Sequence, residues 1–79
     1  MNNQEILEKL QLIFNALFLF PVQISPDTTA KDVEEWDSLM HISLVVAVES
    51  AFKVKFRTGE VEETKNIAEF IDLIAKKLR

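Results

Sequence analysis

Apolar residues recur at helical spacing in three stretches of the chain. In the first, Ile6, Leu10, Ile13 and Leu17 fall on one face, widened by Leu7, Phe14 and Phe18, which predicts a helix from about Asn3 to Phe18. Asn2 stands where an N-cap belongs, with Glu5 placed to reach back as in a capping box. Leu19-Phe20-Pro21 closes the run, because proline disfavours helical geometry in the residue before it. The second stretch runs from Ser38 to near Phe52. There Leu39, Ile42, Val45 and Val46, with Leu44, Val48 and Phe52, cover most of the helix circumference, and a helix this apolar is expected at the centre of a domain. The third carries Ile67, Phe70, Ile71, Ile74 and Leu78 at i, i+3, i+4, i+7 and i+11, one stripe of an amphipathic helix. Asn66 with Glu69 resembles another capping box, and Lys76, Lys77 and Arg79 complement the negative end of the helix dipole.

Between the first two helices, Pro21 to Asp37 holds both prolines and a scatter of polar residues. Loops of this length in compact domains are usually functional or disordered. Val22, Ile24, Val33 and Trp36 offer apolar anchors that would tie it down, with a short turn near Thr28 to Lys31. After the second helix, Val54 and Phe56 continue the buried pattern and Arg57-Thr58-Gly59 turns the chain. Glu60 to Thr64 is expected to form one short turn of helix, with Val61 inward. The predicted fold class is all-α: a small four-helix bundle, three longer helices plus a short third one, with a long loop between helices one and two. No repeat or linker divides it, so residues 1–79 are expected to form a single domain.

Composition narrows the chemistry. A chain of 79 residues builds one small core, and with Cys at 0 neither disulfides nor thiolate metal sites can staple it. The net charge of −4 argues against nucleic acid as a partner and suits partners with basic surfaces. The single glycine, Gly59, leaves no phosphate-cradling loop, and the single histidine, His41, makes no metal site by itself. Met1 to Glu5 lack the basic start of a secretion signal, and no apolar run is long enough to span a bilayer. A cytoplasmic monomer without membrane contact is expected.

One hydroxyl stands out. Ser38, in Glu35-Trp36-Asp37-Ser38-Leu39, sits where the long loop gives way to the second helix. At a helix start the first backbone N–H groups are unpaired, and with the dipole they favour a phosphate bonded to that oxygen. Asp37 beside it would help hold a divalent cation while an enzyme delivers the phosphate. The bland alternative is that Asp and Ser simply cap the helix, since both are preferred there. A third reading makes Asp37, Ser38 and His41 a hydrolytic triad. Asp37 is poorly placed to orient His41, however, and a core this small leaves little space for an oxyanion hole and pocket.

Asp37-Ser38-Leu39, after a long loop and at the head of an apolar helix, resembles the attachment motif of acyl carrier proteins. The likeness covers nearly the full chain: the long loop, Glu49-Ser50-Ala51-Phe52 at the end of helix two, the short helix around Glu60 to Thr64, and Asn66-Ile67-Ala68-Glu69-Phe70-Ile71 opening the last. The resemblance implies that Ser38 accepts 4′-phosphopantetheine from coenzyme A through a phosphopantetheinyl transferase with magnesium. The arm then carries acyl or aminoacyl groups as thioesters, loaded by an activating ligase and passed to synthase or transferase enzymes. The chain itself would catalyse nothing and bind no metal of its own. Asp37 and Leu39 would flank the arm. Leu44, Val48, Phe52, Val61 and Ile67 would line the interior that shelters an acyl chain in some members, or serve as ordinary core.

The departures from the family's pattern matter. Carriers of primary fatty-acid synthesis usually place acids after Asp-Ser-Leu and along helix two. Here those places read Met40, His41 and Ser43, and Glu49 is the only acid between Ser38 and Phe52. Trp36, Met40, His41 and Ile42, with Glu49, Glu60 and Glu62, are therefore the expected partner-recognition residues. They suit a specialised discrete carrier with a dedicated ligase or transferase rather than the housekeeping one. The alternative is a small helical interaction module that recruits a partner through helix two and is never modified.

Overall fold

Three helices carry the fold in the computed structural model, which describes residues 2–57 and 59–78: α1 (Asn3–Leu17), α2 (Ser38–Phe52) and α3 (Ile67–Leu78). Met1, Thr58 and Arg79 lie outside the described residues, and with them the middle of the Arg57-Thr58-Gly59 turn and the last of the basic residues expected at the end of α3. Among the described residues there is no strand, and no helix is long and apolar enough to cross a membrane.

Local chemistry sets the helix ends. Asn2 and Glu5 form the expected capping box at α1: Glu5 N–H donates to Asn2 Oδ1 at 2.8 Å, and Asn2 N–H donates to Glu5 Oε1 at 3.0 Å. Phe18 leaves the helix in extended geometry, three residues before Pro21. α2 ends at Lys53, which adopts the left-handed conformation with φ 57° and ψ 47°. At α3, Glu69 N–H donates to Asn66 Oδ1 at 2.9 Å, while the Glu69 carboxylate accepts from Lys65 N–H rather than from Asn66 itself.

α1 is the central helix and packs against both α2 and α3. It buries Ile6, Leu10 and Phe14; α2 buries Leu44, Val48 and Phe52; α3 buries Ile67, Phe70, Ile71 and Ile74. This corrects the expectation for α2. Its apolar residues encircle the helix, yet only one stripe enters the core, and Leu39, Ile42 and Val46 remain 76%, 61% and 60% exposed.

The fourth helix also needs correcting. Glu60 to Thr64 forms turns, closed by Glu60 N–H to Arg57 C=O and Thr64 N–H to Val61 C=O, each at 3.0 Å. Five residues span little more than one turn, so helical pairing there gains little against the cost of nucleation. The Thr64 hydroxyl also occupies the Val61 carbonyl at 2.6 Å, a side-chain bond that competes with helical pairing. Val61 still points inward and is buried. Just before this segment Gly59 turns the chain at φ 88°, a region that suits a residue without Cβ.

The long loop is pinned at three places. Gln11 of α1 treats it as a paired strand, donating to Val22 C=O at 2.6 Å and accepting from Ile24 N–H at 2.9 Å. Its carbonyls at Pro26 and Thr28 accept the Ala68 and Ile67 N–H groups at the head of α3, both at 2.9 Å. The Glu35 carboxylate reaches back to the end of α1, accepting from Leu19 N–H at 3.1 Å and Phe20 N–H at 2.8 Å. Ile24 and Val33 are buried and Val22 and Trp36 half-buried, so the four anchors do as expected. The short turn falls at Ala30–Asp32 as one turn of 3₁₀ helix.

Candidate functional site

Asp37 is the N-cap of α2 and Ser38 its first residue. The Asp37 side chain accepts from Met40 N–H at 2.8 Å and its carbonyl accepts from His41 N–H at 2.9 Å, which fixes the first turn. No carbonyl one turn back within the helix is available to the Ser38 and Leu39 N–H groups, so the positive end of α2 lies open beside the Ser38 hydroxyl. Ser38, Asp37 and Leu39 are all exposed.

Ser38 borders a cleft of about 630 Å³ between α2 and α3. One wall is α2, with Ser38, His41 and Ile42; the other is the segment from Val61 to Asn66 with Phe70 of α3; Ala30 and Trp36 of the long loop close one end. Of the five residues proposed for an acyl pocket, Val61 alone lines this cleft. Leu44, Val48, Phe52 and Ile67 are buried in the core. Lys65 and Asn66 also face the cleft. The local sequence marked Asn66 as a cap, but nothing in it placed either residue at a cleft that exists only once α3 is docked.

The expected recognition residues take different positions. Ile42 and Glu62 are exposed; Met40 is half-buried against the core. Trp36 packs edge-on against Phe14 with centroids 5.4 Å apart and donates its indole N–H to His41 Nδ1 at 3.1 Å. Glu49 is half-buried and accepts from Phe56 N–H at 2.9 Å. Glu60 accepts from the Arg57 N–H and pairs with Lys77 at 2.9 Å. That backbone N–H first, and then the Lys77 ammonium, hold the Glu60 carboxyl below its ordinary value of 4.5. A hydrolytic triad is not assembled: one nitrogen of His41 is taken by Trp36, and the other lies 3.5 Å from Glu62.

A helix-start serine thus stands at the mouth of a cleft, behind a long pinned loop, and the chain as a whole is similar to known proteins. It is 33% identical over 79 residues to an acyl carrier protein of Guillardia theta, covering 99% of this chain and 98% of the relative. The chain belongs to the acyl carrier protein family. An acyl carrier protein of Thermosynechococcus vestitus is 30% identical over 79 residues, again covering 99% of this chain and 98% of the relative. In structure, the chain is similar to the solution NMR structure of holo acyl carrier protein from Geobacter metallireducens, with a TM-score of 0.82 and 38% identity over 91% of this chain and 84% of that one. No family model matches the chain. Members of this family are carriers and not enzymes, and they hold cargo on a covalent 4′-phosphopantetheine arm.

Proposed function

We propose that Ser38 is the attachment point of the 4′-phosphopantetheine arm, and that residues 1–79 act as one carrier domain. The observation that carries this reading is the exposed Ser38 hydroxyl at the open N-terminus of α2, at the mouth of the cleft. A phosphodiester formed there would meet unpaired N–H groups and the helix dipole, and Lys65 borders the same cleft. When bound, the arm supplies the thiol on which acyl or aminoacyl cargo travels, a thiol the chain lacks. The chain's own contribution is to present the oxygen, keep the helix start in place and dock the enzymes that load and unload the arm. Tethering raises the local concentration of the cargo at each partner's active site.

The same reading places the chain in the cytoplasm as a monomer serving a specialised pathway with its own ligase or transferase. What supports the pathway assignment is α2: its outer face offers Leu39, Ile42 and Val46, while its one acid, Glu49, is occupied by Phe56 N–H. A partner matched to this face needs an apolar groove, not the basic ridge that a row of carboxylates would attract. Efficient turnover of the loaded protein by general fatty-acid elongation enzymes would overturn this assignment.

Incubation with coenzyme A and a broad-specificity phosphopantetheinyl transferase tests the attachment. Intact mass is expected to rise by one phosphopantetheine in the wild type and to stay unchanged in Ser38→Ala. An unmodified wild type, under conditions that modify a control carrier, would contradict it and favour the unmodified interaction module.

A further inference from the structure

Trp36 and His41 bracket Ser38. They hold the position before the N-cap and the fourth position of α2, the pair that in a hydrophobic staple fixes the angle at which a chain enters a helix. In this chain the staple is polar. The ring centroids lie 6.2 Å apart with planes 20° from parallel, and the Trp36 indole N–H donates to His41 Nδ1 at 3.1 Å. An indole nitrogen only donates, so His41 Nδ1 must be bare, and the neutral ring carries its proton on Nε2. That second nitrogen is shielded from solvent and has no hydrogen-bond partner among the described residues. Glu62 Oε1 lies 3.5 Å away, on the opposite wall of the cleft.

A buried donor without an acceptor is costly, and the nearby carboxylate shows how the cost can be relieved. We propose that His41 is a pH-sensitive positioning residue for Ser38: neutral, it holds Trp36 and the chain that leads into α2; protonated, it releases Trp36 and turns to Glu62. A proton taken from solvent at Nδ1 sets two donors face to face, Trp36 Nε1–H and His41 Nδ1–H, and that bond is lost. The same proton makes the ring a cation, whose Nε2–H forms a charge-assisted bond with Glu62. The exchange ties α2 to the wall ahead of α3 at the expense of its tie to the long loop. The other charged groups around the pair are Asp37 at the N-cap, held by Met40 N–H, and Lys65 on the wall of Glu62. α1 presents the apolar Phe14 to Trp36, and α3 contributes the apolar Phe70 to the cleft.

The consequence at Ser38 rests on the carrier reading, but the tie itself can be tested without it. The chain has one Trp and one His, so a single indole N–H resonance reports on the contact. In the unmodified protein, that resonance is expected to shift together with the His41 ring protons as pH falls. In His41→Gln, whose amide oxygen can accept from the indole at every pH, the resonance should hold still. The wild-type rate of phosphopantetheine attachment, divided by that of His41→Gln to cancel the enzyme's own profile, is expected to drop roughly fivefold from about pH 8 to 5.5, the factor one net hydrogen bond is worth. Trp36→Phe keeps an aromatic ring against Phe14 but loses the donor, and its rate relative to His41→Gln should not change with pH. An indole resonance indifferent to the His41 titration, or a wild-type ratio flat with pH, would overturn the proposal. Failure of the wild type to be modified at all would instead count against the carrier reading, and the indole resonance would still decide the tie.

Discussion

Three acids that look equivalent in the sequence meet three fates. Glu49 caps the Phe56 N–H, Glu60 is held between the Arg57 N–H and Lys77, and Glu62 alone is left largely in solvent. Because Glu60 has a lowered carboxyl pKa when folded, its ionised form contributes stability above the ordinary value of 4.5, and that contribution disappears as pH falls through the folded value. Glu60→Gln is therefore expected to be less stable than the wild type at neutral pH, with the gap closing in acid. Urea unfolding at several pH values checks this, and a gap that widens in acid would contradict it. The caps were readable in advance, because Asn2, Asp37 and Asn66 act on N–H groups three residues away. The fates of Glu49 and Glu60 were not, since their partners at Phe56 and Lys77 are brought close only by the folded chain.

α2 shows where periodicity stops informing. Its start at Ser38 and end at Phe52 follow from local signals, and the structure has the same bounds. Which of its apolar stripes would be buried was not legible, because an all-round apolar helix has no preferred face until α1 chooses one. Leu44, Val48 and Phe52 meet α1's side of the core, and Leu39, Ile42 and Val46 do not. The segment after α2 failed for a different reason: Glu60 to Thr64 has an inward Val61 whichever way its backbone turns, so burial alone could not separate a short helix from successive turns. The helix also ends on an unusual residue. Lys53 occupies left-handed geometry that glycine adopts without a Cβ penalty. Lys53→Gly is expected to raise stability by about 0.5–1 kcal/mol, less whatever glycine adds to the freedom of the unfolded chain. A lower urea midpoint in that variant would show that Lys53 does something beyond ending the helix.

Taken together, the molecule separates what keeps it folded from what it offers to others. α1 and the stripes facing it hold the core, while the pinned loop, the head of α2 and the cleft surround one exposed hydroxyl. Ile42 borders that cleft and is 61% exposed, so Ile42→Ser should change stability by less than about 0.5 kcal/mol. If the outer face of α2 meets the loading enzyme, kcat/KM for loading should fall about fivefold or more, as expected when an apolar anchor is removed from an interface. Unchanged loading would move the contact elsewhere. The chain holds four serines, at positions 25, 38, 43 and 50. Peptide mapping by tandem mass spectrometry after treatment with coenzyme A and transferase decides among them. The phosphopantetheine is predicted on the peptide containing Ser38 and on that residue alone; finding it on Ser25, Ser43 or Ser50, or on none of them, would contradict the account.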